Sequence, residues 1–292
     1  MIAEDRWLSA LIAALAGLGL LLIAVNGAFF HFTGISYFPR QSVALLFPAL
    51  ELAAFGVFVR RSSARTAFIA RSGAFYALLA MAISVLVTGI QYTPFAPIDA
   101  RLAAWDRALG VDVARAMRWT AGHPRLKLAL EAAYAGLNVE LFALPFAAAA
   151  FQDGRRTRVY LYAVAYSSLA GCLFYYFFPS SGPGAVLTSE FFSAEQRLTS
   201  WKFSQVHRFA DVPTLQGGMI AFPSMHAVWA ILLTYAALPD RRLFYAAAAF
   251  NALVLLSTVL LGWHFLVDVL ASAILSAAGL ALGEATHRRL AE

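Results

Sequence analysis

Residues 221–238 read AFPSMHAVWAILLTYAAL, an apolar run with a histidine in its first predicted helical turn. Pro223 and Ser224 are typical of a helix start, with Ser224 as an N-cap that satisfies a free backbone N–H group. The run from Ser224 to Leu238 predicts a membrane helix. An ionisable side chain such as His226 is costly in that setting and is therefore usually functional, so this stretch predicts a site at the beginning of the helix.

The composition of the whole chain is that of a polytopic membrane protein. Of its 292 residues, 61% are hydrophobic and 13% are charged, and the mean hydropathy of +0.70 lies far above that of soluble domains. The formal charge of +6 is expected from basic residues beside membrane spans, so it does not indicate nucleic acid as a partner. A lone Cys172 excludes a disulfide framework within the chain.

A helix that crosses the hydrocarbon core needs about 20 apolar residues, and eight segments approach or exceed that length. The first is too long, and its flank MIAEDR too acidic, for a secretory signal peptide. The sequence therefore predicts one all-α membrane helix bundle of about eight spans. The predicted spans are Leu8–Phe30, Val43–Val59, Ser72–Ile90, Leu126–Ala150, Val159–Phe178, Ser224–Leu238, Leu243–Leu261 and Phe265–Gly283.

Arginines in the short loops predict the orientation of the bundle. If both termini are cytoplasmic, the arginine-rich loops all fall on the cytoplasmic side, as the positive-inside rule requires. The strong excess of arginine over lysine indicates a GC-rich bacterial genome, so the predicted location is the bacterial inner membrane. The arginines concerned are Arg60, Arg61, Arg65, Arg71, Arg155, Arg156, Arg158, Arg241, Arg242, Arg288 and Arg289.

Two longer segments are expected on the opposite, outer side. Residues 97–121 predict two short amphipathic helices on the membrane surface, which either shape a lipid entrance or only connect spans. Asp99 and Asp112 are the predicted N-caps of these helices, and Gly110 and Gly122 are the predicted stops. The second segment, residues 179–221, is the least apolar outer region and contains Arg197, Lys202, His207 and Arg208.

Two further ionisable residues lie near the outer end of the last span. In the stretch GWHFLVD, residues 262–268, Asp268 follows His264 by four positions, a spacing that lets the carboxylate accept the ring N–H. The topology predicts His226 and His264 at the same depth. An imidazole oriented by a carboxylate is a good nucleophile toward phosphorus, and a second imidazole can protonate the leaving alkoxide. These roles predict His264 as nucleophile, Asp268 as its orienting group and His226 as acid.

FPSMH at 222–226 followed by GWHFLVD at 262–268 resembles the second and third motifs of the type 2 phosphatidic acid phosphatase superfamily, most closely its inositol phosphorylceramide synthase-like branch. The resemblance implies a phosphohistidine at His264, supported by Asp268, and His226 as the group that protonates the leaving group. FPSSGPG at 178–184 and WDRALGVD at 105–112 are similar to weaker features of that branch. The implied six-helix core spans residues 72–292, with two additional spans in residues 1–71.

The sequence departs from the phosphatases of this superfamily at the phosphate clamp. No Arg-Pro dipeptide occurs, and Ser257-Thr258 stands where the family has a Ser-Arg pair. Sphingomyelin and inositol phosphorylceramide synthases also lack the clamp, which favours transfer of a phospho-headgroup to a lipid alcohol over hydrolysis with water as acceptor. The candidate replacement ligands are the helix start at Ser224 and the side chains of Arg197, Lys202, His207 and Arg208.

Two other classes of function stay open at this stage. A metal-dependent hydrolase could use His226, His264 and Asp268 as ligands, although no His-Glu-x2-His motif accompanies them. A transporter or scaffold could use the same residues as a polar relay. A serine hydrolase is disfavoured because no Gly-x-Ser-x-Gly elbow occurs. The preferred interpretation needs no metal or cofactor, and its partners are a lipid phosphoester donor, a lipid alcohol or water as acceptor, and the membrane.

Overall fold

The computed structural model of the protein describes residues 3–30, 43–151, 154–210, 212, 220–238 and 240–292. Within these ranges the chain forms eleven α-helices and no strand, which confirms the predicted all-α bundle. The described part of the loop 179–221 lacks residue 211 and residues 213–219. The helices are α1 (Ala3–Phe29), α2 (Leu46–Val59), α3 (Ala64–Gln91), α4 (Asp99–Ala108), α5 (Val113–Ala121), α6 (Pro124–Phe151), α7 (Gly154–Phe177), α8 (Ala194–Val206), α9 (Met225–Ala237), α10 (Arg241–Leu260) and α11 (Leu266–Ala291).

Six of the eight predicted spans are long and apolar enough to cross a membrane. These are α1, α3, α6, α7, α10 and α11. The other two, α2 with 14 residues and α9 with 13, are apolar but shorter than a full span. Apolar composition predicted all eight helices. The short lengths of α2 and α9 are set by the turns that flank them, which apolar composition does not locate.

Helix α7 lies at the centre of the bundle. It packs against α3, α9 and α11, and its tyrosines Tyr160, Tyr162 and Tyr175 are almost completely buried. By contrast, the outer helices expose large apolar side chains such as Phe58 of α2 and Ile274 of α11. Side chains of that kind on the outside of an apolar helix bundle are those that contact lipid tails in a membrane.

Ion pairs connect the helices at the arginine-rich end of the bundle. Arg158 at the start of α7 contacts Glu4 and Asp5 of α1, each at 2.9 Å. The Arg155 side chain lies 2.6 Å from Glu284 of α11. These contacts place the beginning of α1, the beginning of α7 and the C-terminal part of α11 at the same end of the molecule.

The two predicted surface helices form as α4 and α5. Asp112 caps α5 by accepting the Arg115 N–H at 3.0 Å, as predicted, and Gly110 ends α4 with φ of +78°. The prediction for Asp99 is wrong: the N-cap of α4 is Ile98, and the Asp99 carboxylate binds residues 180–182 instead. A local sequence pattern could not show this because the partner lies 81 residues away.

Candidate active site

Three turns meet at the end of the bundle opposite the arginine-rich end. They are residues 178–182 after α7, residues 221–224 before α9 and residues 261–265 between α10 and α11. His226 lies in the first turn of α9, as predicted. His264 lies in the third turn, just before the N-cap residue Phe265 of α11. The two imidazole rings are 5.8 Å apart between centroids, so the predicted meeting of the two histidines is observed.

The His264 ring is held by a backbone carbonyl. Its Nδ1 lies 3.0 Å from the carbonyl oxygen of Ala221, and the residue is 3% exposed. Because a carbonyl oxygen only accepts hydrogen bonds, Nδ1 must carry the proton in this arrangement. The other nitrogen, Nε2, therefore has a free lone pair in the neutral ring, which is the state that a nucleophile needs.

Asp268 supports His264 less directly than the sequence predicts. Its Oδ2 lies 3.5 Å from His264 Nδ1, farther than the Ala221 oxygen, and accepts the Phe265 backbone N–H at 2.9 Å. His264 precedes the helix, so the helical i,i+4 stacking that motivated the prediction does not apply to its side chain. The carboxyl group is completely buried and is the acidic side chain that lies beside the ring.

Aromatic rings hold His226 on one side. Tyr134 of α6 stacks on the His226 ring with 4.7 Å between centroids, and the Trp263 ring stacks on Tyr134 with 5.1 Å between centroids. The Trp229 ring lies 5.9 Å from the His226 ring in an edge-to-face arrangement. His226 Nδ1 is buried and has no hydrogen-bond partner in the described part of the chain. Sequence reasoning missed Tyr134, whose only signal is its helical spacing from Glu131 and Asn138.

A cavity of about 530 Å³ adjoins these aromatic rings. Tyr134 and Trp263 line it together with residues of α5 and α8. Among the described residues its charged lining consists of one ammonium group and three carboxylates. The ammonium group, of Lys127, lies 3.6 Å from the carboxylate of Glu131. The cavity is therefore acidic as well as aromatic. The other two carboxylates belong to Glu190 and Glu195.

Three of the predicted phosphate ligands have structural contacts. Ser224 is fully buried, and its hydroxyl accepts the Ala227 N–H at 3.3 Å, which confirms it as the N-cap of α9. The Arg197 guanidinium donates to the carbonyl of Phe192. Lys202 is only 2% exposed, and desolvation by this burial lowers the pKa of its amine to about 8.

The other two predicted ligands, His207 and Arg208, line a different cavity. That cavity, of about 550 Å³, also contains Asp99 and Trp201. His207 Nδ1 donates to the Phe203 carbonyl at 3.0 Å, and burial lowers the pKa of its ring, which favours the neutral form. The structure therefore does not bring His207 and Arg208 into the cavity beside Tyr134.

Two glycines allow the turns around His264 to pack closely. Gly182 has φ of +92°, and a Cβ there would lie 2.7 Å from the Trp263 carbonyl oxygen. Gly262 has φ of +78°, and a Cβ there would collide with the Met117 side chain of α5. The positive φ disfavours larger residues at both positions, and at Gly182 the backbone oxygen of Trp263 also leaves no space for a Cβ.

Comparison with known proteins agrees with this geometry. No curated protein and no solved structure matches the chain. A sequence model of the PAP2 superfamily, the type 2 phosphatidic acid phosphatases, matches residues 100–282. The matched range contains α5, all of α4 except its first residue, both histidines and Asp268, whereas the division of the chain near residue 71 stays a prediction. The chain therefore belongs to the PAP2 superfamily.

Proposed function

We propose that this protein is a membrane enzyme that transfers a phospho-headgroup from a lipid phosphoester to a lipid alcohol through a phosphohistidine. The observation that carries the proposal is the hydrogen bond from His264 Nδ1 to the Ala221 carbonyl oxygen. It keeps the proton on Nδ1 and so leaves the lone pair of Nε2 free to attack phosphorus, in a ring whose centroid is 5.8 Å from that of His226. Membership of the PAP2 superfamily supports lipid phosphate chemistry of this kind.

In the first step, His264 Nε2 forms a bond to phosphorus while the bond from phosphorus to the lipid oxygen breaks. His226 gives its proton to the departing alkoxide, and Asp268 stabilises the positive charge that develops on the His264 ring. In the second step, the hydroxyl of the acceptor lipid attacks phosphorus, His226 takes its proton, and the N–P bond breaks. The free N–H groups after Ser224 are suitable donors to the phosphoryl oxygens.

The cavity favours transfer of a headgroup over hydrolysis of a phosphate monoester. Among the described residues its three carboxylates face one cation, Lys127, and an excess of negative charge repels the dianion of a simple lipid phosphate. An uncharged or cationic headgroup avoids that repulsion, and a cationic one gains from the carboxylates and from the aromatic faces of Tyr134 and Trp263. We assign the cavity to the headgroup that is transferred together with the phosphate.

The inositol phosphorylceramide synthase-like branch is the part of the superfamily that fits this proposal. Its members lack the arginine clamp, as this chain does, with Thr258 at the position of the family arginine. Arg197 and Lys202 stay candidate phosphate ligands because α8, which carries both, also lines the headgroup cavity through Glu195 and Gln196. His207 and Arg208 are weaker candidates in view of their separate cavity.

The proposal is tested with purified protein in vesicles and donors that share their acyl chains. The donors are phosphatidylcholine, phosphatidylethanolamine, phosphatidylinositol, phosphatidylglycerol and phosphatidic acid, each labelled with ³²P and offered with and without ceramide or diacylglycerol. We expect label on the acceptor lipid from a donor with a headgroup. If the only labelled product were inorganic phosphate from phosphatidic acid, whether or not an acceptor lipid is present, the protein would instead be a phosphatase that uses water.

We also propose that the histidines face the outer side of the inner membrane and that both termini are cytoplasmic. The arginines at the opposite end of the bundle support this orientation. In a variant without Cys172, a cysteine at exposed Thr188 should react with an impermeant thiol reagent in spheroplasts, and one at exposed Arg61 should not. The reverse labelling pattern would invert the orientation.

A further inference from the structure

Helix α4 carries two buried carboxylates whose role the sequence did not reveal. Asp99 and Asp106 are each 2% exposed. They are seven residues apart, so both lie on the inward face of α4 with Leu102 and Ala103. Buried carboxylates are rare unless hydrogen bonds or charges compensate for their lost hydration, so their partners define their role.

Asp99 holds residues 180–182, which connect to His264 through Ala221. Its Oδ1 accepts from the Ser180 hydroxyl at 2.7 Å and from the backbone N–H groups of Ser181 and Gly182 at 3.1 and 2.9 Å. The carbonyl of Ser180 accepts the Ala221 N–H at 3.0 Å. The Ala221 carbonyl in turn accepts the His264 ring N–H. Two hydrogen bonds therefore connect the segment that Asp99 holds to the imidazole.

Asp106 holds the segment on the other side of His264. Its Oδ2 accepts the Leu266 N–H at 2.8 Å, and its Oδ1 accepts the Val267 N–H at 2.9 Å. These are the first two residues of α11, whose N-cap Phe265 offers no side-chain acceptor. Asp106 therefore caps α11 from outside the helix and fixes the start of the segment that contains Asp268.

We infer that α4 is a positioning element for the nucleophile, in which Asp99 and Asp106 clamp the two backbone segments that hold His264. Apolar contacts fix α4 in place, because Ile98, Leu102 and Ala103 form one buried cluster with Phe222 and Phe265. The inference rests on the proposed function, since it concerns the group that attacks phosphorus. Neither aspartate lines the cavity beside Tyr134, and both reach His264 only through backbone segments, so we class both as positioning residues.

The test is single-turnover formation of the phosphoenzyme by Asp99→Asn and Asp106→Asn variants in vesicles. The amplitude counts correctly folded enzyme, and the rate constant reports how well the nucleophile is placed. We expect rate constants about 10- to 100-fold below wild type, since a displacement of about 1 Å costs this much, with nearly full amplitude and unchanged KM. The matched control is Asp112→Asn, because exposed Asp112 caps α5 and contacts neither segment. Its rate constant should equal that of wild type.

A merely structural role would lower the amplitude and leave the rate constant unchanged, and that outcome would overturn the inference. Asp106→Glu, which keeps two acceptor oxygens, should be slower than wild type but faster than Asp106→Ala. Amide hydrogen exchange gives a second readout that needs no turnover. In Asp106→Asn the amides of residues 264–268 should exchange faster than in wild type, and unchanged exchange there would contradict the clamp. If wild type forms no phosphoenzyme, the proposed function fails while the exchange measurement still tests the clamp.

Discussion

The two ends of the bundle use their buried carboxylates differently. At the arginine-rich end, carboxylates pair with cationic side chains, as Glu4 and Asp5 do with Arg158. At the histidine end, Asp99, Asp106 and Asp268 bind backbone N–H groups, and in the described part of the chain none of them forms an ion pair with arginine or lysine. Ion pairs join flexible side chains and so connect helices, whereas bonds to backbone N–H groups fix the course of the chain. We therefore expect changes at the first end to affect stability and changes at the second to affect turnover.

The largest effect is expected from the two histidines. His264→Ala should abolish turnover and the acid-labile phosphoenzyme, because the proposed mechanism depends on the His264 ring as the group that attacks phosphorus. His226→Ala should lose about 10²- to 10⁴-fold with a natural lipid. It should recover with a nitrophenyl ester, whose leaving group needs little protonation. The measurement is phosphoenzyme formation from both substrates in protein shown to be folded by its thermal transition.

Equal losses for His226→Ala on both substrates would contradict its role as acid. His226 would then be a ligand of the phosphoryl group, held in place by Tyr134. Phosphoenzyme formation in His264→Ala would remove the nucleophile assignment and, with it, the reason for the tight backbone packing around residue 264.

A smaller loss is expected from Asp268→Asn. Removal of the carboxylate from a Ser-His-Asp triad costs about 10⁴-fold because the histidine loses its orienting partner. Here the Ala221 carbonyl keeps the ring proton on Nδ1, so we expect only a 10- to 100-fold decrease in the single-turnover rate constant. A loss as complete as that of His264→Ala would show that the backbone carbonyl does not suffice to orient the ring.

The opposite end of the bundle should show the opposite behaviour. Arg158→Met removes the arginine that Glu4 and Asp5 share, while Arg71 still contacts Asp5 and His287 still contacts Glu4. The free energy of unfolding should therefore fall by about 2 kcal/mol, less than for a buried charge left without any partner. The single-turnover rate constant of the folded enzyme should be unchanged. The matched control is Arg155→Met, since Arg155 is half exposed in its pair with Glu284 and should cost less than about 1 kcal/mol. A lower single-turnover rate constant in Arg158→Met would contradict the expectation that the arginine-rich end affects stability and not turnover.

The smallest effect concerns a buried cation at the histidine end. The pKa of Lys202 is lowered to about 8, whereas an unfolded lysine titrates near 10.4. Between these values the unfolded state binds more protons, so stability should rise with pH in this window. We expect the melting temperature of wild type to rise by a few degrees relative to Lys202→Met between pH 8 and pH 10. A constant difference across that range would contradict the lowered pKa.

The sequence predicted the helices and the meeting of the histidines because these depend on local patterns. Apolar runs mark the helices, Pro223-Ser224 marks the start of α9, and the order of helices along the chain puts His226 and His264 at one end. The acceptor of the His264 ring proton could not be predicted in the same way. It is the backbone carbonyl of Ala221, and a carbonyl group is common to every residue type.

The role of α4 was also beyond the sequence pattern. The large apolar side chains Trp105 and Leu109 of this amphipathic helix are 53% and 55% exposed, while Asp99 and Asp106 face inward. Hydrophobicity alone cannot predict an inward carboxylate, because its burial depends on backbone N–H groups that come from distant parts of the chain. The spacing of seven residues between the two aspartates was the available signal.

The short helix α9 has a consequence for the depth of the reaction in the membrane. Thirteen residues rise only about 20 Å, whereas the hydrocarbon layer is about 30 Å thick. Helices α6, α7, α10 and α11 all pack against α9, so we expect protein rather than thinned lipid to cover the missing length. His226 at its first turn would then lie below the level of the surrounding headgroups. A lipid could reach the histidines by sliding sideways and tilting its phosphate inward, without being lifted out of its leaflet.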